Sequence, residues 1–200
     1  MGNLEQLNMK NLALIVAIAL LAAACNQTPD YTPKPTGYNR IEFPQKKYHA
    51  FISQSPYTFD FPAYAKMYVD STDRQKPDWY NLTFPQFNAR LHISYYHIAS
   101  KQEFDNLMED SRKLAFKHTV KATGIDEGII NIPENNVYGV FYTIEGNTAS
   151  AAQFYLTDSS KHYLRGALYF NEAPKIDSVL PVINFLRRDL DKMIKTFKWK

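Results

Sequence analysis

Four residues in one short segment have the side chains of a nucleophilic triad. Asp158, Ser159, Ser160 and His162 stand within five positions and supply a carboxylate, two hydroxyls and an imidazole. Catalysis would also require an oriented nucleophile and oxyanion donors, and Ser159 does not lie in a GxSxG motif. Asp and Ser are turn formers in their own right. The segment therefore predicts a polar turn, with a recognition loop and a hydrolytic site as the alternatives.

The histidines show no metal-binding spacing. The chain has five, none of them in an HExxH motif: His49, His92, His97, His118 and His162. His92 and His97 differ by five positions, which predicts opposite faces of one strand. His118 falls on the apolar face of a predicted helix, so we expect a core or boundary position for it rather than a role as a metal ligand, and we expect no bound metal. The glycine motifs that bind phosphates are also missing from the sequence, so we expect no cofactor.

Composition excludes several classes of protein. The chain has 200 residues, of which 45% are hydrophobic and 22% charged, and these proportions are those of a folded domain. The net charge is +3 and no basic block occurs, so nucleic acid is not an expected partner. A single cysteine excludes a disulfide scaffold.

The amino-terminal residues have the pattern of an export signal. Lys10 precedes an uncharged apolar run, Leu12–Ala24, that is too short for a membrane-spanning helix. Cys25 follows three alanines, as in a bacterial lipobox, although Leu21 stands four positions before the cysteine rather than three. We predict a signal peptide over residues 1–24, with Met9 as a candidate start, and lipidation of Cys25 with palmitate-type acyl chains. An ordinary signal peptide with an incidental cysteine is the alternative.

A proline-rich segment follows the cysteine. Residues 26–36 contain three prolines and no apolar pattern, which excludes a helix or an interior strand. In a polyproline conformation these residues would extend roughly 34 Å, at about 3.1 Å per residue. We interpret residues 25–36 as a lipidated tether and residues 37–200 as a single domain.

Apolar periodicity predicts strands on either side of one helix. Alternation indicates strands at 57–61, 63–69, 79–84, 90–98, 127–132, 137–144, 149–156 and 162–170, the last three forming a meander. Ser100 and Glu103 form a capping box at the start of an amphipathic helix whose apolar face reaches His118. Gly124 is placed just beyond the end of that helix.

A second amphipathic helix closes the sequence. Asp177 or Ser178 is the predicted cap, and Pro181 falls in the first turn. The apolar stripe runs from Val179 to Phe197, and the predicted polar face comprises Arg187, Arg188, Asp189, Asp191, Lys192 and Lys195. Together these elements predict an α+β fold in which a mostly antiparallel sheet packs with two amphipathic helices. The order of elements resembles the PsbP/Mog1 sandwich.

Four segments resemble a known family. They are Tyr31–Pro44, Lys117–Ala122, Gly146–Asn171 and Thr196–Trp199, and they are similar to the gliding motility lipoprotein GldD family. The resemblance extends over essentially the whole mature chain. It implies an envelope lipoprotein that is required for bacterial gliding and acts alongside type IX secretion. The family has no established catalytic residues, so the resemblance assigns a role to Cys25 alone.

Two functions follow as hypotheses. The first is a non-enzymatic, lipid-anchored protein with its domain in the periplasm, whose partners are other gliding and secretion proteins, including neighbouring lipoproteins. Its predicted interaction surface comprises polar residues at the ends of the meander strands: Asn147, Thr148, Asp158, Ser159, Ser160, Lys161, His162 and Arg165. The second is a periplasmic hydrolase or ligand-binding lipoprotein that uses Asp158, Ser159 and His162.

Overall fold

The computed structural model describes residues 11, 12, 14, 16, 41–72, 75–171 and 176–200, and the side chains of residues 176 and 177 are outside that description. The chain divides into two units, residues 1–37 and residues 38–200. Apart from the four positions named first, the predicted signal peptide and the tether with Cys25 lie outside the described residues. Within the described part of the chain, no helix is long and apolar enough to cross a membrane.

Seven strands form a central antiparallel sheet. They are β4 (Lys66–Val69), β5 (Tyr80–Phe84), β6 (Ala89–His97), β7 (Ala122–Ile132), β8 (Val137–Gly146), β9 (Ser150–Thr157) and β10 (His162–Phe170). Their order is β4-β5-β6-β10-β9-β8-β7, and every neighbouring pair is antiparallel. The predicted α+β class, the antiparallel sheet and the meander are confirmed.

Four short strands form two further sheets. β1 (Tyr48–Ala50) pairs with β3 (Asp60–Pro62), and β2 (Tyr57–Thr58) pairs with β11 (Lys198–Trp199). The prediction of one strand over 57–61 is therefore wrong, because the chain changes sheets at Phe59. Strands of two or three residues carry too little alternation to be predicted from sequence.

Two other strand boundaries differ from the prediction. The strand expected at 63–69 begins at Lys66, because residues 63–65 form a turn. The strand expected at 127–132 begins at Ala122, and Gly124 lies inside it, next to an irregularity in the pairing with β8. Gly124 therefore does not terminate the preceding helix.

The first helix, α1 (Lys101–Phe116), begins as predicted. Ser100 Oγ accepts a hydrogen bond from the backbone N–H of Glu103 at 3.2 Å. Glu103 Oε2 accepts one from the N–H of Ala99 at 2.8 Å, one residue before the cap rather than at it. This capping box satisfies two backbone donors at the helix start. A 3₁₀ turn, Lys117–Val120, follows α1 and contains His118.

The two helices cover opposite faces of the central sheet. Alternation along β10 places Tyr163 in a core with α1 residues, whereas Leu164 and Leu168 pack in a larger core with the second helix. The face that α1 covers is called the α1 face below, and the other the α2 face. The structure is therefore a sheet between two helices, with an apolar core on each side.

The second helix, α2 (Ile176–Lys195), starts earlier than predicted. Asp177 and Ser178 are inside it, so neither is the cap. Pro181 stands within the helix rather than in its first turn, and it removes one backbone hydrogen bond there. The predicted apolar stripe is confirmed, since its members are buried against the sheet: Val182, Ile183, Leu186, Leu190, Met193 and Ile194.

The carboxylate of Asp189 is buried beneath α2, which corrects its predicted place on the polar face. The residue is 1% exposed, and it is the single charged residue among the buried residues described. Its Oδ2 lies 2.7 Å from Lys46 Nζ, and its Oδ1 accepts a hydrogen bond from Tyr48 at 2.9 Å. Tyr64 donates a further hydrogen bond to Oδ2. These partners come from the other end of the domain, so the sequence of α2 alone does not indicate them.

Burial also affects the ionisation of the partners of Asp189. Burial raises the pKa of Tyr48 to about 12, and the hydrogen bond to Asp189 acts in the same direction. Burial is the main cause that raises the pKa of Tyr64, and the hydrogen bond to Asp189 is the next. Both phenols therefore keep their protons at neutral pH and remain hydrogen-bond donors to the carboxylate.

We expect Asp189→Asn to destabilise the domain by about 3 kcal/mol, because it leaves the Lys46 ammonium without its counter-charge in a largely buried site. Chemical denaturation of the purified chain measures this loss. Asp191→Asn is the matched control, since Asp191 is exposed on the same helix and pairs with Lys195. The control should change stability by less than about 0.5 kcal/mol. Equal losses in the two variants would contradict a special role for Asp189.

Candidate functional site

The carboxylate of Asp158 organises the turn between β9 and β10. Its Oδ1 accepts backbone N–H groups of Ser160, Lys161 and His162 at 3.0, 2.8 and 2.9 Å. Its Oδ2 accepts the Ser160 hydroxyl at 2.9 Å. Burial opposes ionisation of Asp158, but these hydrogen bonds outweigh it and hold the pKa of the carboxyl below its ordinary value. The predicted polar turn is present, and Asp158 shapes it.

The turn presents three exposed side chains. Ser159 has a φ of 63°, in the left-handed region, and its backbone N–H donates to Thr157 Oγ1 at 2.9 Å. The side chains of Ser159, Ser160 and Lys161 are exposed to solvent. Because the backbone of the turn is fixed by hydrogen bonds, these side chains are displayed on a rigid support.

The ring of His162 belongs to a different contact. Its Nδ1 lies 2.7 Å from the hydroxyl oxygen of Tyr95, and the ring stacks on Trp199 with 5.1 Å between centroids. No hydrogen bond joins this imidazole to Ser159, to Ser160 or to the carboxylate of Asp158. A nucleophile, a base and an orienting acid are therefore not aligned here.

Arg165 lies on the other face of the sheet from the His162 ring. The two residues differ by three positions in β10, so alternation separates them. Arg165 Nη2 donates to Oε1 of Gln153 at 2.5 Å, beside α1. The separation could have been predicted from the odd spacing alone.

Asn147 and Thr148 lie at the opposite end of β9 from Asp158. The eight residues of β9 place the two turns roughly 26 Å apart, at about 3.3 Å per residue. Thr148 is buried and donates to the carbonyl of Ser150 at 2.8 Å. Asn147 lines a cavity of ≈ 230 Å³, together with Thr148, Lys117, His118 and Lys121.

The predicted surface is thus divided among three places. Residues 158–161 and the His162 ring lie near one end of the meander, Asn147 and Thr148 lie at the other, and Arg165 is on the α1 face. The structure brings Arg165 together with residues that we did not select as a site. The ring centroids of His92 and His118 lie 5.7 and 6.3 Å from the ring centroid of Tyr169.

The described residues contain no group of three or more His, Cys, Asp or Glu side chains that could hold a metal ion. His92 and His97 do lie on opposite faces of β6, since His92 contacts Tyr169 on the α1 face and His97 contacts His162 on the other.

A model of the family described as "Gliding motility lipoprotein GldD" matches residues 28–199. The chain belongs to this family. The resemblance of the four sequence segments is thereby confirmed, and the match begins just beyond Cys25. Membership in the GldD family implies an exported, lipid-anchored envelope protein with a role in gliding motility.

Other comparisons add less. A search of curated proteins found no match. Among solved structures, the GldD-family chain is similar to "Solution Structure of Cyanobacterial PsbP (CyanoP) from Synechocystis sp. PCC 6803", with a TM-score of 0.42 and 9% sequence identity. The alignment covers 81% of this chain and 98% of the cyanobacterial one. The order of elements predicted from the sequence resembles that of the PsbP/Mog1 sandwich, and this structure is a PsbP protein. A similarity at this TM-score supports no further inference.

The ionisation of His162 gives a prediction for stability. Burial lowers the pKa of His162, the charges of His97 and Lys161 act in the same direction, and Asp158 opposes them. The folded chain therefore favours the neutral ring. As the pH falls through 6.5, the ordinary pKa of histidine, the unfolded chain binds more protons than the folded chain, and the folded state loses stability. We expect a lower melting temperature at pH 5.5 than at pH 7.5, and a smaller difference in His162→Gln. Thermal unfolding at the two pH values measures both.

The control for this experiment is Ser160→Ala, which alters the same turn but leaves the ring in place. It should keep the difference between the two pH values seen in the unmodified chain. A His162→Gln variant with an unchanged difference would show that this ring does not contribute.

Proposed function

We propose that this chain is a non-enzymatic component of the gliding and type IX secretion machinery, anchored by lipid on Cys25 with its domain in the periplasm. The family match over residues 28–199 carries the proposal. Acyl chains stabilise membrane attachment by about 0.8 kcal/mol per buried CH₂. Attachment confines the domain near the membrane and raises its effective concentration toward other envelope proteins. Those proteins, including neighbouring lipoproteins, are the proposed partners.

The β9–β10 turn supports a role in binding. Ser159, Ser160 and Lys161 are exposed, and the hydrogen bonds of Asp158 fix the backbone that displays them. A partner would therefore meet a surface that loses little conformational entropy on binding. Asn147, at the other end of β9, would belong to a second contact rather than to the same one.

The contacts of the turn do not favour the hydrolase alternative. Asp158 uses both carboxylate oxygens within the turn, and His162 is engaged with Tyr95 and Trp199. Neither serine hydroxyl has an imidazole within hydrogen-bond distance. A general base close to its nucleophile is the geometric requirement of that chemistry.

Lipid attachment is tested by Cys25→Ala. We expect the variant to move from the membrane fraction to the soluble fraction after cell lysis and to lose gliding, because the acylated thiol is removed. Immunoblotting of the fractions and a motility assay provide the measurements. Thr28→Ala, in the same segment, is the control and should stay with the membrane. A Cys25→Ala chain that remains in the membrane fraction would refute lipidation at this residue.

Partner binding is tested with a tagged copy in living cells. After crosslinking and solubilisation, purification should recover gliding or secretion components in stoichiometric amounts, identified by mass spectrometry. Lys161→Ala should reduce this recovery at least several-fold. Lys113→Ala is the matched control, because Lys113 is an exposed lysine on α1 whose contact is a surface ion pair with Glu109. Recovery of the tagged chain alone would contradict membership in the assembly.

A further inference from the structure

Five side chains on the α1 face form a group that we call the basic cluster. They are Arg90 and His92 of β6, Arg165 and Tyr169 of β10, and His118 of the turn after α1. All five are partly exposed, so they are accessible from solvent at the side of α1.

Strand register brings the members of the basic cluster together. Ala167 stands opposite His92 in the β6–β10 pair, and Tyr169 stands opposite Arg90. Arg165 and Tyr169 are two residues before and after Ala167, and so they share its face. Ala167 itself is fully buried and ends in a methyl group, so it occupies little space among the larger side chains of this face.

Ring contacts join three members of the cluster. The centroid of the Tyr169 ring lies 5.7 Å from that of His92 and 6.3 Å from that of His118. Burial lowers the pKa of His118, and the charge of Arg165 acts in the same direction. Burial likewise lowers the pKa of His92, helped by Arg90 and Arg165, while Asp70 opposes them. His92 and His118 therefore both lie within the electrostatic influence of Arg165.

The hydrogen-bonding capacity of the cluster is largely unused within the described residues. Arg90 Nε is buried without a partner. The rings of His92 and His118 and the hydroxyl of Tyr169 make no hydrogen bond to another described residue. Arg165 uses one nitrogen on Gln153. A guanidinium presents five N–H donors in a planar fork, so most donors of the two arginines are free to bind an acceptor.

One described carboxylate, that of Asp70, acts on the cluster from its edge. Asp70 is the acidic residue that acts on His92, and its Oδ1 accepts both the N–H and the hydroxyl of Thr72 at 3.0 and 2.7 Å. The two arginines have no ion pair with a described carboxylate. The cavity lined by Lys117 and Lys121 adjoins His118 and adds further positive charge on this side.

We propose that the basic cluster binds an oxyanion of the phosphate class, carried either by free phosphate or by a phosphorylated lipid headgroup. The guanidinium group of each arginine has the planar fork of donors that binds the oxygens of such an anion. His92, His118 and the Tyr169 hydroxyl supply additional donors at its edge. This site goes beyond the proposed function and does not depend on lipidation of Cys25.

The test uses the purified full chain in a neutral detergent. Inorganic phosphate should raise the melting temperature in a saturable manner, since a ligand that binds only the folded state stabilises it by mass action. Isothermal titration should give the affinity directly. Chloride at matched ionic strength controls for screening, and an equal rise with chloride would overturn the proposal.

Arginine variants locate the binding. Arg165→Gln and Arg90→Gln should each weaken phosphate binding at least about tenfold, the loss expected when one charge-assisted contact is removed. Arg187→Gln is the matched control and should stay within about twofold. Arg187 is also half-buried with an unpartnered Nε, but it lies on α2 in a separate cavity with Asp191. Because Arg165 also contacts Gln153, Arg90→Gln keeps the test valid if the first variant does not fold.

A second arm distinguishes the two sources of phosphate. Micelles doped with phosphatidic acid should compete with inorganic phosphate if a headgroup enters the site, and should not compete if only free phosphate fits. Either result supports the site. Absence of saturable binding at about 10 mM phosphate would overturn it, because that concentration saturates a site with a Kd of about 1 mM. Unchanged affinity in both arginine variants would overturn it as well.

Discussion

The interactions of Asp189 hold the amino-terminal segment of the domain against α2. Lys46, Tyr48 and Tyr64 reach this one carboxylate from positions 125 or more residues away in sequence. A buried carboxylate is tolerated only while it is paired and hydrogen-bonded. Departure of the segment would take the partners of Asp189 away from a carboxylate that lies in a buried position, which is strongly unfavourable. β1 and β3, and the core that they help to cover, depend on this attachment.

Local patterns in the sequence predicted most of the central sheet and both helices. The Ser100–Glu103 box and the apolar stripe of α2 depend on neighbours three or four positions away, which a sequence displays directly. Asp189 could not be placed in this way, because its partners lie at the other end of the domain. The separation of His162 from Arg165 was within reach, since an odd spacing in a strand already implies opposite faces.

The sheet divides the chemistry of the domain into two halves. On the α2 face, aromatic and aliphatic side chains form the larger core, and His162 lies at its edge against Trp199. On the α1 face, a helix of 16 residues leaves part of the sheet uncovered, and the basic cluster lies there. Gathering the cluster required strand register and the turn after α1 together, so no single segment of sequence indicated it.

The pairing of β2 with β11 joins Tyr57 to Trp199 across most of the chain. Phe197 completes the ring stack that begins with Tyr57 and Phe59, with centroids 5.8 and 6.2 Å apart. During synthesis and export, Tyr57 and Phe59 emerge long before the residues that cover them. Contacts of such sequence separation form slowly, because closing a long loop costs conformational entropy. The aromatic core of the domain is therefore completed only after residues 197–199 have been synthesised.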